Sequence, residues 1–365
     1  MRILICVSSL QYGGKERQIF ELMKGLIAHN ITCIVVSLSN TVTIQISENI
    51  SKCIIALDES KCKLQRAYDF YKVLVEYKPT IVHAWDDIST EIAVIFKYIM
   101  KYKLIDCRVR GSHKYYKRLV SMFICHPFVD ILVANSIAGM NSVNKTLDSK
   151  HLVVYNGIDL DRFKNVRSNN AYEKYMKFFT VCMIANVRDE KDYKSYIEVA
   201  EEINKRYNNT MFVSAGCGDI GNVVKILSPR IEHLGAISNV ESLLKYVDLG
   251  LLLTNSKCAK EGTSNSILEY MATGLPVIAT NSGGTPELIE HEYNGYLVSE
   301  DNNVNEITQY IEILITNEAH RQTLGDRGKS IVSNRYDSSI MINNYISIYK
   351  NICNTNNMLS RDTDI

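Results

Sequence analysis

Two glutamates, Glu261 and Glu269, stand eight positions apart around Gly-Thr-Ser-Asn-Ser in EGTSNSILEYMATGLPVIATNSGGTPELI, residues 261–289. Before them, LGLLLTNSKCAKEG reads as a buried strand running into a loop, and after them Ile267, Leu268, Met271 and Ala272 repeat at helical spacing. The spacing predicts a helix that starts between Thr263 and Ser266. A helix's first turn leaves backbone N–H groups without intrahelical partners and carries the positive end of the macrodipole, a combination that suits phosphate. The small residues Gly262, Thr263, Ser264, Asn265 and Ser266 would let a diphosphate approach. Carboxylates repel phosphate but accept hydrogen bonds from hydroxyls. A nucleoside diphosphate sugar carries hydroxyls at both ends of its diphosphate, one set for each glutamate. Ser266-Ile267-Leu268-Glu269 also fits a capping box, in which Glu269 only reaches back to a backbone N–H.

Such a site needs strands to aim it. RILICVS, TCIVVSL, CIIAL, TIVHAW, LIDCRV, ILVAN and LVVYNG read as buried strands, with amphipathic segments such as 15–29 and 63–77 between some of them. The polar stretch NVRSNNAYEKYMK, residues 165–177, interrupts the series. A second set follows: FFTVCMIANV, TMFVSAG, IEHLGAI, LGLLLT, LPVIAT and GYLVS. The pattern predicts an α/β chain of two doubly wound, Rossmann-like domains facing an interdomain cleft, with ligands at the carboxyl ends of the strands. The expected division is 1–168, 169–335, a last helix over 336–352, and a frayed tail over 353–365.

A chain of 365 residues is long enough for two cores, and its 46% hydrophobic and 22% charged content is that of an ordinary globular protein. The net charge of +1 argues against a nucleic-acid partner. It divides unevenly, 22 Lys and Arg against 15 Asp and Glu in residues 1–165, and 19 against 25 in the rest. No apolar run is long enough to span a bilayer, and MRILICVSSL lacks the features of a signal peptide. Ten cysteines show no CxxC pair, several of them, such as Cys6, Cys33 and Cys182, inside apolar runs. They are expected to be reduced and the chain cytoplasmic.

The continuation after the glutamate pair, GLPVIATNSGGTPELI, is a strand followed by a second Gly-rich turn into a helix with Pro at its start. Together with the pair it resembles the donor-binding signature of the retaining glycosyltransferases of family 4, which have the GT-B fold. YGGKERQIFELMKGL, VHAWDD, VVYNGIDLDRF, ANVRDEKDYKSYIEVA and SAGCGD stand in that family's order, so the resemblance covers residues 1–350.

The resemblance implies that Glu261 contacts the transferred sugar, that Glu269 holds the ribose, and that backbone N–H groups from Thr263 to Ser266 hold the diphosphate. Lys191 would neutralise the leaving diphosphate. Asn186 replaces the family's usual arginine, and Arg188 would supply the missing charge. Gly13 and Gly14 match a loop that closes over the donor, or form only a turn that needs glycine's φ freedom. Arg110 or His113 would meet the acceptor, or belong to an exposed basic loop. Arg108, Arg110, Lys114, Lys117 and Arg118 with Tyr115 and Tyr116 suit anionic lipid headgroups at the inner face of a cell membrane.

The implied reaction moves a hexosyl group to an acceptor hydroxyl with the anomeric configuration retained, and needs no metal or cofactor beyond the nucleotide sugar substrate. A lipid-linked surface polysaccharide intermediate is the expected acceptor. Two rivals share the architecture: a sugar-nucleotide epimerase and a non-catalytic module that binds nucleotide sugar. GCGDIG matches a dinucleotide-binding GxGxxG, but Pro229 follows closely and no acid ends a second strand at the required distance. Asp159-Leu160-Asp161 imitates a metal motif within a turn, and His83 reads as a satisfied histidine at a strand end.

Overall fold

The computed structural model describes residues 1–11, 13–42, 48–109, 126–143, 148–223 and 228–359, without the side chains at 49, 126, 222 and 355–359. The described residues divide into two compact units, one made of 1–109, 126–157 and 338–359, the other of 158–337.

The first unit is built on strands β1 (Arg2–Val7), β2 (Thr32–Ser37), β3 (Ile54–Ala56), β4 (Ile81–Ala84), β5 (Lys103–Val109), β6 (Ile131–Ala134) and β7 (His151–Val153). They form a parallel sheet in the order β3-β2-β1-β4-β5-β6-β7. Their apolar residues alternate between two cores: Ile3, Ile5 and Val7 pack with the helix Gly14–Ala28, whereas Leu4 and Cys6 pack with Phe70, Leu74 and Ala93. Helices on both faces account for the near-continuous hydrophobicity of the strands.

The second unit repeats the plan with β8 (Phe179–Ile184), β9 (Thr210–Ala215), β10 (Ile231–His233), β11 (Leu249–Leu252), β12 (Val277–Thr280) and β13 (Gly295–Val298). The order is β10-β9-β8-β11-β12-β13, parallel throughout. Each sheet reverses its winding once, between β1 and β4 and between β8 and β11. In open α/β sheets the carboxyl ends of strands at such a reversal are where ligands collect.

The units change over at 157/158, before the polar stretch. Residues 165–177 are no free linker: Tyr175 is buried and its hydroxyl donates to Glu232 at 2.9 Å. The last helix runs Ser338–Leu359, past the expected end at 352. It belongs to the first unit, where Ile342 fills the space that a side chain at Gly25 would occupy and Tyr349 hydrogen-bonds His83 Nδ1 at 2.7 Å. His83 is fully buried and held through Nδ1 at that strand end.

At the reversal of the first sheet, Asp86 accepts from the Ser8 N–H (2.9 Å), the Ser8 hydroxyl (2.7 Å) and Lys15 Nζ (2.8 Å), and caps the helix Asp87–Met100 through Ser89 N–H. Burial alone would raise the Asp86 carboxyl, but Lys15 and the Ser8 bonds outweigh it and lower it to about 2. A carboxyl depressed in the folded state stabilises above its unfolded value and loses that contribution as the pH falls through the folded one. Wild type should therefore exceed Asp86→Asn by about 2 kcal/mol at pH 5, a margin that closes between about pH 4 and pH 2. Urea unfolding at those pH values reads it, and a margin constant with pH would refute the assignment.

Candidate active site

The glutamate pair lies at the reversal of the second sheet. The helix carrying Glu269 spans Asn265–Thr273, with Ser264 as an extended N-cap whose side chain makes no capping bond. The capping-box alternative therefore fails: the helix starts two residues too early for Ser266 to cap it. The Ser266 hydroxyl instead donates to the Ile184 carbonyl at the end of β8, at 2.6 Å. Tyr270 fastens the same helix from the next turn. Its hydroxyl accepts the Ile184 N–H at 2.6 Å, and its ring lies where a side chain at Gly250 of β11 would have to go. Burial pushes the Tyr270 phenol well up, so the hydroxyl stays protonated. Thr263 and Ser264, at the start of that helix, are buried.

Glu261 sits in the loop before the helix, and its carboxylate meets Lys191 Nζ and the Thr254 hydroxyl (3.0 Å) on one oxygen. Lys191 follows β8 and Thr254 follows β11, so the two strands at the reversal each deliver one partner to Glu261. Both charged side chains keep about a fifth of their surface exposed, 19% for Lys191 and 18% for Glu261, so the pair is reachable by a solute.

The second Gly-rich turn packs on the loop that carries Glu261. Its helix, Thr285–Leu288, is a single turn. Gly283 has φ +59, and a Cβ there would stand 2.1 Å from the Glu261 carbonyl oxygen, which also accepts the Gly284 N–H at 2.8 Å. The glycines thus hold the Glu261 backbone. Gly283→Ala should cost about 2–5 kcal/mol, from the left-handed backbone and the overlap together. Denaturant unfolding measures it; a loss under 1 kcal/mol would show that the turn yields freely.

Glu269 is 2% exposed, with Arg162 Nη2 3.8 Å from its carboxylate. Arg162 Nε in turn contacts Glu241 at 2.5 Å. Arg162 belongs to the NGIDLDRF segment, in which no role was expected for the arginine. Within the same segment Asp159 accepts the Asp161 N–H at 3.0 Å and Asp161 pairs with Lys164 at 2.7 Å, the bonds of a turn.

Other predicted residues have partners of their own. The Asn186 side-chain carbonyl accepts the Cys217 N–H at 2.8 Å, joining the ends of β8 and β9. Arg188 is exposed, and its backbone carbonyl accepts the Lys191 N–H at 2.9 Å. Its side chain is not brought to the glutamate pair among the described residues. Gly216 and Gly218 adopt φ +158 and +111, and only the short 3-10 turn Ile220–Asn222 follows them among the described residues. GCGDIG is thus a chain reversal packed on Ala185 and Val187.

In the first unit, Gly13 precedes the helix that begins at Gly14. Its φ of −171 is extended, so the turn does not need glycine's φ freedom; Glu16 Oε2 occupies the space of a Cβ, 2.4 Å away. Arg108 leaves the proposed basic surface: it is buried, with Nε 2.7 Å from Asp106 and Nη1 3.6 Å from Asp87. Burial raises the Asp106 carboxyl even against this guanidinium. Arg110, His113, Lys114, Tyr115, Tyr116, Lys117 and Arg118 lie outside the described residues. None of the nine described cysteines is disulfide-bonded, and burial pushes the Cys6 and Cys182 thiols up. Among the described residues no helix is long and apolar enough to cross a membrane.

Residues 166–331, most of the second unit, match the family model described as Glycosyl transferases group 1. Over 126 residues the chain is 35% identical to N-acetyl-alpha-D-glucosaminyl L-malate synthase of Bacillus anthracis, an alignment covering 34% of this chain and 32% of that protein. It is 24% identical over 273 residues to the UDP-Gal:alpha-D-GlcNAc-diphosphoundecaprenol alpha-1,3-galactosyltransferase of Escherichia coli, covering 67% of this chain and 68% of the relative. The chain thus spans about a third of the first relative and about two thirds of the second. The crystal structure of Anabaena HepE with UDP and glucose superposes with a TM-score of 0.81 at 17% identity, covering 96% of this chain and 99% of that one. Sucrose-phosphate synthase from Thermosynechococcus elongatus gives 0.81 at 14% identity, covering 97% and 99%. Likeness at this identity concerns the fold, which is GT-B: two parallel-sheet, Rossmann-like domains.

Proposed function

We propose that this chain is a retaining glycosyltransferase that moves a hexosyl group from a nucleoside diphosphate sugar to an acceptor hydroxyl. The observation that carries this reading is the convergence of Lys191, Thr254 and Glu261 at the sheet reversal, beside the start of the helix that bears Glu269. The match of residues 166–331 to group 1 glycosyl transferases supports it.

In this reading the diphosphate lies on the amides from Thr263 to Ser266, Glu269 takes the ribose hydroxyls and Glu261 a hydroxyl of the sugar. The chemical step breaks the bond between the anomeric carbon and the diphosphate oxygen. Negative charge then grows on the leaving oxygen, where the Lys191 ammonium and the helix start stabilise it. The acceptor oxygen bonds to the anomeric carbon on the same face, and its proton passes to the departing phosphate. Lys191 and Glu261 neutralise one another before the donor arrives; the donor replaces that contact, phosphate for the ammonium and hydroxyls for the carboxylate. The cation that the leaving group needs is then a side chain, so the reaction runs without a metal and with no cofactor beyond the nucleotide sugar.

The acceptor we propose is a lipid-linked intermediate of a surface polysaccharide, met at the inner face of the cell membrane; the Escherichia coli relative's name specifies a diphosphoundecaprenol acceptor. The test is a screen of UDP-, GDP- and ADP-sugars for release of nucleoside diphosphate with lipid-linked and soluble acceptors. Acceptor-dependent release with the product's anomeric configuration unchanged supports the proposal. Conversion of the sugar without acceptor would identify an epimerase, and donor binding without release a non-catalytic module.

A further inference from the structure

We infer that Asn302, in the loop after β13, is a positioning residue for the Lys191–Glu261 pair, an inference that rests on the transfer reading above. Asn302 is 2% exposed and has φ +53, a conformation that asparagine tolerates better than most residues. Its Nδ2 donates to Asp192 Oδ2 and to the Thr254 carbonyl, both at 3.0 Å. Its Oδ1 accepts from the Thr280 hydroxyl at 2.5 Å, and that hydroxyl accepts the Thr254 N–H at 2.9 Å. One side chain thereby joins the ends of β11 and β12 to the loop after β8.

What hangs from these bonds is the site. Asp192 directly follows Lys191, donates its N–H to the Leu253 carbonyl at 3.0 Å and caps the helix Tyr193–Arg206 through Ser195 N–H at 3.0 Å. Thr254 is the residue whose hydroxyl donates to Glu261. The Lys191 ammonium and the Glu261 carboxylate are therefore referenced to one another through Asp192, Asn302 and Thr254, and Asn302 is the member that none of the sequence motifs contains. The amide chemistry is specific. Both Nδ2 hydrogens face acceptors and Oδ1 faces a hydroxyl, so aspartate would lose both donors and set a second carboxylate against Asp192.

Asn302→Gly keeps the backbone conformation and removes all three bonds; kcat should fall ten- to a hundredfold, with a smaller change in KM, as expected when reacting groups are displaced by a fraction of an ångström to 1 Å. Asn302→Asp should be impaired at pH 8 and recover towards pH 5, because the protonated acid can donate to Asp192 again, giving a limb that the wild-type profile lacks. Thr280→Val should share the defect and Thr280→Ser reverse it. Folded Asn302→Gly protein with wild-type kcat and wild-type affinity for nucleoside diphosphate, or an Asn302→Asp profile parallel to wild type, would overturn the inference. Calorimetry with UDP, GDP and ADP separates it from the transfer reading. Wild type that binds a diphosphate but transfers nothing ends that reading, and a tenfold loss of the same diphosphate's affinity in Asn302→Gly still supports positioning. Wild type that neither transfers nor binds ends both.

Discussion

Glu261→Gln is expected to lower kcat/KM for transfer by at least about a hundredfold while leaving nucleoside diphosphate affinity within a few-fold of wild type. Glutamine has nearly the same shape and can still accept the Thr254 hydroxyl that Glu261 accepts at 3.0 Å. What it loses is the charge. A carboxylate accepts from sugar hydroxyls about twice as strongly as a neutral amide does. It also supplies negative potential beside a sugar ring that becomes cationic as the diphosphate departs. Neither contribution touches the nucleotide, hence the separation between transfer and nucleotide binding. Titrating the variant with diphosphate and then with the intact sugar nucleotide reads both. Transfer at the wild-type rate would remove Glu261 from the mechanism.

Lys191→Met should lower kcat by about 10²–10³, the loss seen when a donor aimed at developing charge is removed. Unlike Glu261→Gln, it should also weaken nucleoside diphosphate binding, because the phosphate loses its cation in the ground state as well. A second effect pulls the same way: Glu261, 18% exposed, is left with the Thr254 hydroxyl and no counter-charge. Lys191→Arg tests geometry, since it keeps the charge but changes its shape and reach. Intermediate activity for Lys191→Arg and near-complete loss for Lys191→Met is the expected pair of results, and equal losses would point to packing rather than charge.

The fold was largely legible because a parallel sheet covered on both faces leaves a strong record. Among the described residues all thirteen strands coincide with short, mostly apolar runs, Ile3-Leu4-Ile5 and Val277-Ile278-Ala279 among them. The division between the units was harder. NVRSNNAYEKYMK is polar on average, yet one residue in it, Tyr175, is buried and tied to Glu232 fifty-seven positions later. Average polarity cannot show that.

The candidate site was legible where it is local. Glu261, Glu269 and the helix start between them are a matter of spacing, and Lys191 entered through the resemblance. Partners that arrive from other strands left no local trace: Tyr270 reaches back to Ile184, Arg162 forward to Glu241 and Glu269, and Asn302 joins Asp192 to Thr254. Gly283 was visible as a glycine, but its reason, the Glu261 backbone at 2.1 Å from an added Cβ, exists only in the folded chain. Arg108 was misread for a related cause. A cluster of basic residues in sequence looks like a surface, but this side chain belongs to the end of β5 and is neutralised in place by Asp106 and Asp87.

Everything turns on where the phosphates bind, and a crystal structure of the chain with the nucleoside diphosphate of its donor would locate them. Phosphate oxygens are expected about 3 Å from backbone nitrogens between Thr263 and Ser266 and from Lys191 Nζ, with ribose hydroxyls on Glu269. Phosphates bound at another part of the second unit, with Lys191 still paired to Glu261, would contradict this placement.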